Sequence, residues 1–242
     1  MCEPYSNVRL VRQENGGPGA ARNRGVEAAE GFDRVLFIDD DCFAEPDWAM
    51  RLIEAQADIP MRLVGGRIAN ALPRNPFSSA SQSLSSYLYE FYQSSNSDMT
   101  FFTTNNMCCR REDFLAVGGF DSGFSIASED RDLGLRWRAA GGELHYASEA
   151  VVGHAHDLAL ASFWRQHSNY GRGARHLHKS MDERRDPRPK LESVSFYAGM
   201  LTHPLRHPGH NRLFQAMLIG LSQVAMVAGY ISEIRDTKAR ER

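Results

Sequence analysis

Arg34-Val-Leu-Phe-Ile-Asp-Asp-Asp-Cys42 is an apolar run that ends in three successive carboxylates. Val35, Leu36, Phe37 and Ile38 have the composition of a buried strand, and Asp39, Asp40 and Asp41 gather negative charge where that strand leaves its sheet. Alternation along an extended chain puts Asp39 and Asp41 on one side and Asp40 on the other. Two carboxylates on one side suit a hard divalent cation, and such a cation suits a diphosphate. Asp is also a common helix N-cap, and Glu45-Pro46-Asp47-Trp48 reads as a helix start. Capping accounts for one Asp. Three in succession repel one another unless a cation or hydrogen bonds compensate, so the cation reading is the stronger one.

Working outward, Val8 to Val11 reads as a short strand, Asn15 to Gly19 as a glycine loop and Ala20 to Ala29 as a helix. With the Val35 strand these make a β-α-β unit, which predicts a parallel sheet with ligand at the carboxyl ends of its strands. Downstream, Trp48 to Ala57 reads as a helix and Arg62 to Ile68 as a buried strand containing Gly65-Gly66. Leu84, Tyr87, Leu88 and Phe91 fall at helical spacing. Phe101 to Cys109 reads as a strand ending near Asn105-Asn106, and Arg111 to Val117 as a helix closed by Gly118-Gly119. A helix from Ser128, its cap, to Ala140 should stop at Gly141-Gly142, before a last core strand from Leu144 to Val152.

The chain has 242 residues, 42% hydrophobic and 24% charged, the balance of a globular protein rather than a disordered one. A formal net charge of -2 gives no reason to expect nucleic acid as a partner. Cys2, Cys42, Cys108 and Cys109 have no paired metal-ligand spacing, and a reducing compartment fits them better than a disulfide framework. Met1 to Asn7 carry neither a basic start nor an apolar run, so a cytoplasmic location is expected, with membrane association at the cytoplasmic face left open. That opening comes from Leu213 to Ile231, an apolar segment interrupted by Gln215, Ser222 and Gln223 that reads equally as a membrane-surface helix or a packed core helix.

Four elements recur in order: Asn15-x-Gly-x-Gly-Ala-x-Arg22-Asn23, the Asp39-Asp40-Asp41 strand end, Asn105-Asn106 followed by Gly118-Gly119-Phe120-Asp121, and Ser128-Glu129-Asp130-x-Asp132-Leu133-x-x-Arg136. Together they resemble family 2 glycosyltransferases of the GT-A fold, over about residues 8 to 175. Each element alone is weak; the ordered set is specific. The resemblance implies an α/β fold, with a Rossmann-like, mostly parallel central sheet flanked by helices and followed by a helical C-terminal extension. It also implies an inverting transfer of a sugar from a nucleotide-diphosphate sugar to the hydroxyl of a glycan, lipid-linked or small-molecule acceptor.

By position in that family's acidic motif, Asp39 and Asp41 match the residues that hold Mg2+ or Mn2+ against the donor diphosphate, and Asp40 is expected at the sugar or a helix end. Asp130 matches the general base, with Glu129 orienting it or the acceptor. The bland alternative is that both acids only favour a helix N-terminus. Arg22 and Asn23 open a helix behind the glycine loop, where phosphate or nucleobase can be met, although such a loop can be only a turn. Asn105 and Asn106 are candidates for the donor sugar hydroxyls or simply close a strand end. His154 is expected to complete the metal site, with His156 on the same face; core-edge histidines are the ordinary alternative. Arg165 and Arg172 are candidates for diphosphate or an anionic acceptor, or for a solvated helix face.

Members of the family usually begin with a strand, a helix and a second strand ending in acidic residues, and Val8 matches a later element. The expectation is a core over residues 1–153 that is incomplete at its N-terminus, a His/Arg-rich segment with a Pro-containing linker over 154–190 and a helical extension over 191–242. A module that keeps the fold without catalysing transfer is the competing expectation. Nucleotidyl transfer is less favoured, because it gives Glu129-Asp130 no special role.

Overall fold

The computed structural model describes residues 7–94, 99–187, 192–207 and 210–240. Its centre is a five-stranded sheet of β1 (Arg34–Phe37), β2 (Cys42–Ala44), β3 (Arg62–Asn70), β4 (Met107–Arg110) and β5 (Glu143–His154), in the order β1-β4-β3-β5-β2. Helices α1 (Gly17–Ala28), α2 (Trp48–Gln56), α3 (Pro76–Ser94), α4 (Arg111–Ala116) and α5 (Glu129–Ala139) alternate with the strands, and α6 (Leu160–Arg184), α7 (Val194–Arg206) and α8 (Arg212–Arg240) follow them.

The α/β class and the helical extension agree with the sequence, but the sense of pairing does not. Only β3 and β5 run parallel; β1 with β4, β3 with β4 and β2 with β5 are antiparallel, so the sheet is mixed rather than mostly parallel. The prediction rested on the β-α-β unit, and residues 8–11 form no strand: Val8 and Leu10 lie exposed with no neighbouring strand to pair with. Among the described residues, β1 is therefore an edge of the sheet. The long strand read from Phe101 to Cys109 is shorter too, because a 3-10 turn over Thr104–Asn106 precedes β4.

Helix ends obey their local chemistry. Gly141 adopts φ +84° immediately after α5, a left-handed conformation that glycine takes without steric penalty, and the Gly142 amide donates to the Trp137 carbonyl. Trp137, fully buried, packs with Leu133, Phe114, Phe120, Phe37 and Val35 between the sheet and helices α1, α4 and α5. A second apolar core joins the C-terminal helices: Tyr87 of α3, Phe163 of α6, Phe196 and Met200 of α7, and Leu218 and Ile219 of α8. Of the linker read over Asp186 to Lys190, Asp186 and Pro187 follow α6 directly and the rest lies outside the described residues.

Helix α8 buries polar side chains and exposes apolar ones. Gln215, Ser222 and Glu233 face the protein, while Leu213, Met217, Val224 and Val227 are 70%, 65%, 58% and 59% exposed. The burial is possible because α6 and α8 cross with almost no side-chain separation. A Cβ added at Gly171 would lie 1.9 Å from the Met226 carbonyl oxygen, and one at Gly229 equally close to that of Ser168. Gly171→Ala is accordingly expected to lower stability by about 2 kcal/mol or more in a denaturant titration, since backbone on backbone leaves no flexible atom to yield.

Candidate active site

The acidic stretch is not extended throughout. Strand β1 ends at Phe37, and the Cys42 amide donates to the Asp39 carbonyl at 3.1 Å, so the chain turns through Asp40 and Asp41 into β2. Strict alternation thus fails, and Asp39 and Asp41 meet different partners. Asp41 is carried to β5: Cys42 pairs in register with His154, the Ala155 amide donates to the Asp41 carbonyl at 2.8 Å, and Asp41 Oδ2 lies 3.1 Å from His154 Nε2. Ligand atoms of Asp41, Cys42 and His154 all fall within 4.8 Å of one another. Burial, then the Asp41 and Asp39 charges, pushes the Cys42 thiol up to about 12, which keeps it protonated. Asp40 is exposed at the turn.

Asp39 turns to Arg22 instead. The Arg22 guanidinium donates through one nitrogen to Asp39 Oδ1 at 2.8 Å and through another to Glu129 Oε1 at 2.9 Å. Two motifs 90 positions apart are thereby joined by one cation, with the Arg22 and Glu129 side chains largely buried. The pairing was not legible in the sequence, where Arg22 was read toward a ligand.

Glu129 and Asp130 open α5, preceded by Ser128 at φ +76°. Ser128 holds the cap position, but its side chain makes no capping hydrogen bond. Asp130 Oδ1 accepts from the Arg131 amide at 2.8 Å, and the Arg131 guanidinium stacks 4.0 Å from the Phe101 ring centre. Burial, then the neighbouring Glu129 charge, raises the Asp130 pKa to about 6, against the weaker pull of Arg131 and Arg22. Tyr170 of α6 lies near enough that Asp130 helps burial push its hydroxyl to about 12.

Other predicted site residues are committed to the fold. Asn23 grips the Phe120 backbone from both ends, donating to its carbonyl at 2.7 Å and accepting from its amide at 2.9 Å. Asn106, buried, donates to the Arg67 and Ala150 carbonyls and accepts from Trp48 Nε1, filling the irregularity where Arg67 pairs with Val151. Asn105 accepts from the Thr103 hydroxyl and is also buried. Arg172 reaches α8, donating to Glu233 at 2.7 Å, and Arg165 is exposed on α6. For Asn23, Asn106 and Arg172 these contacts favour strand-end and helix-packing roles over ligand contact, because the polar groups are already satisfied.

The histidines extend further than the sequence suggested. His156 stacks on His154 with ring centres 4.0 Å apart, and His167 of α6 stands close to His156. Neither His156 nor His167 hydrogen-bonds through its ring nitrogens within the protein. Burial lowers both to about 4, so both are neutral at ordinary pH. His167 went unnoticed because no spacing links it to the other two.

The family model described as "Glycosyl transferase family group 2" matches residues 34–232. The chain belongs to this family. Among curated glycosyltransferases, it is 28% identical over 160 residues to the O-antigen chain rhamnosyltransferase WbaN of Salmonella anatum, covering 63% of this chain and 50% of that one. It is 27% identical over 188 residues to the glucosyl-dolichyl phosphate glucuronosyltransferase of Haloferax volcanii, covering 66% and 57% respectively. A 62-residue match at 42% identity to the putative glycosyltransferase EpsH of Bacillus subtilis covers 24% of this chain and 18% of that protein. The chain thus spans little more than half the length of these relatives at most. In fold it is similar to the mannosyltransferase PcManGT of Pyrobaculum calidifontis, solved with GDP-Man and Mn2+, at a TM-score of 0.58 and 12% identity, covering 95% of this chain and 69% of that one. The glycosyltransferase fold is therefore the GT-A-like one expected, on a mixed sheet.

The raised Asp130 pKa has a signed consequence for stability. The folded state binds the extra proton between the unfolded value near 4 and about 6, so stability falls as pH rises through that window. Asp130→Asn removes this cost. Its melting temperature should exceed that of the parent above about pH 6 and match it at pH values below both pKa values.

Proposed function

We propose that this chain carries the catalytic machinery of an inverting glycosyltransferase that uses a nucleotide-diphosphate sugar and a divalent cation. The observation that supports the reading is Arg22, which ties Asp39 of the acidic turn to Glu129, the neighbour of Asp130, while Asp41 of the same turn meets His154. Asp130 takes the proton of the acceptor hydroxyl, the freed oxygen forms the bond to the anomeric carbon, and the bond from that carbon to the diphosphate oxygen breaks. The nucleoside diphosphate leaves with the electron pair. An acidity near 6 suits this base, because the carboxylate is ionised at neutral pH yet still basic enough to accept a proton. Glu129, held by Arg22, fixes the start of α5 and so the position of Asp130.

Asp41 and His154 would hold the cation, and Asp39 has Oδ2 to offer while Oδ1 stays on Arg22. When bound, the cation neutralises charge on the departing diphosphate. A carboxylate beside an imidazole favours Mn2+ over Mg2+, since Mg2+ prefers oxygen ligands alone. His156, on the same face as His154, and His167 are assigned to the acceptor side. The division into a core over 1–153, a segment completing the site over 154–190 and a helical extension over 191–242 belongs to the same proposal.

The uncovered apolar stripe of α8 supports a lipid-linked acceptor met at a membrane surface. By length and composition Arg212–Thr237 is long enough to span, but burial of Gln215, Ser222 and Glu233 against the protein favours a helix lying on the bilayer. One observation favours a module without transfer: Asn23, Asn106 and Arg172 are all taken up by internal contacts, leaving few described groups to grip a nucleotide. Release of nucleoside diphosphate from donor with Mn2+ separates the two readings, and an inert chain would support the module.

Asp130→Asn is expected to slow transfer by about 10²- to 10⁴-fold with donor affinity largely kept, and to remove an acid limb near 6 from the pH profile of the parent. Asp41→Ala should abolish stimulation by Mn2+; full metal-stimulated turnover in that variant would refute the assigned site. Met217→Glu with Val224→Glu should reduce sedimentation with lipid vesicles on the order of tenfold while circular dichroism is unchanged.

A further inference from the structure

Far along the chain from the acidic turn, α3 and α7 bring three ligand-type side chains together. His203 Nε2 lies 3.1 Å from Glu90 Oε2, and His207 Nε2 lies 3.6 Å from the same oxygen. The two imidazoles lean on each other, with ring centres 4.1 Å apart. Ligand atoms of all three residues fall within 4.8 Å of one another. We propose that Glu90, His203 and His207 form a second metal site that takes Zn2+ and clamps α7 to α3.

Both nitrogen-to-oxygen edges match those of a bound ion, and a small turn of the exposed His207 ring completes the set. Zn2+ binds nitrogen and oxygen at about 2.0–2.2 Å, which separates tetrahedral ligand atoms by about 3.3 Å. The two nitrogen-to-oxygen distances here, 3.1 and 3.6 Å, bracket that edge. At 3.6 Å the His207 contact is too long for a hydrogen bond and is at most a loose ion pair, which leaves room for an ion between the two rings and the carboxylate oxygen.

The second nitrogen of the buried ring is provided for as well. His203 Nδ1 lies 2.7 Å from the hydroxyl of Ser83, about two helical turns before Glu90 on α3. Without the ion, Nε2–H can donate to Glu90; with it bound, Nδ1–H would donate to Ser83 Oγ and Nε2 would turn its lone pair to the ion. That is the support a metal-binding imidazole requires. His207 stands at the C-terminal boundary of α7 and remains half exposed, as does Glu90, which gives an ion a way in and leaves a fourth position for water.

Donor chemistry sets this site apart from the one near Asp41. Two imidazoles and a single carboxylate select Zn2+ over Mn2+ and Mg2+. The clamp joins residues 113 positions apart and ties the C-terminal helices to α3 at the edge of the second core. It stands independently of the glycosyl-transfer reading.

The test uses the full chain with any affinity tag removed, in an Asp41→Asn background that silences the other candidate site. One equivalent of Zn2+ should remain after gel filtration, by elemental analysis. Competition with a chromophoric chelator should show the affinity lowered at least tenfold by His207→Ala and by Glu90→Gln, and about 10- to 100-fold by Ser83→Ala. His207 and Glu90 are chosen because both are exposed enough for the variants to fold, which circular dichroism verifies. Co2+ in place of Zn2+ should give the visible absorption of a four-coordinate nitrogen and oxygen site, lost in His207→Ala. Retention of no Zn2+ by the Asp41→Asn chain, or unchanged affinity in both His207→Ala and Glu90→Gln, would overturn the proposal.

Discussion

One guanidinium fixes the relation between the two acidic motifs. Arg22 sits between Asp39 and Glu129, and without it two carboxylates would face each other across a partly buried gap, where low polarisability strengthens repulsion. Its single positive charge offsets one of the three negative charges of Asp39, Asp41 and Glu129 and leaves them net negative. Arg22 holds this position because Asn23, the next residue of α1, grips the Phe120 backbone from both sides. Helix α1 is therefore fastened to the turn before α5 by neutral hydrogen bonds and to the end of β1 by charge.

The rest of the cleft is built around that fastening from the far side. Asp132, fully buried one turn into α5, accepts from Arg136 at 2.7 Å and from Arg184 of α6 at 2.8 Å. Gly173 of α6 meets the turn before α5 so closely that an added Cβ would lie 2.6 Å from the Ala127 carbonyl oxygen. Helix α6 thus presses on the residues that aim Asp130, while its opposite side carries the crossing with α8. Sheet and C-terminal helices meet around the start of α5, where Asp130 lies.

Residues with local causes could be read from the sequence. The Val35 strand, the glycine stops after α4 and α5 and the helix at Glu129 follow from alternation, left-handed glycine and charge at a helix start, all properties of neighbours in sequence. Pairing sense could not be read, because it depended on Val8 to Val11 finding a partner, and a short apolar run has no strand character of its own without one. The site divides the same way. Asp41 beside His154 follows from β2 pairing with β5, which no short motif encodes. Asn23 and Asn106 have the residue type of ligand-binding groups, but their partners come from segments 97 and 44 positions away, and only the fold shows them already satisfied.

Two departures from comfortable structure lie side by side at the start of α5. Ser128 adopts φ +76° without the capping hydrogen bond that its side chain was expected to supply. Asp130, two residues on, is held where burial and Glu129 raise its pKa to about 6. A left-handed conformation at a residue with a Cβ costs about 1–3 kcal/mol, and a carboxylate kept from full solvation adds to it. Neither is needed to start a helix, since a capping Ser in an extended conformation would do so at lower free energy. Both persist because Arg22, through Glu129, and the close approach of Gly173 over-determine the conformation from two sides, with Tyr170 near Asp130.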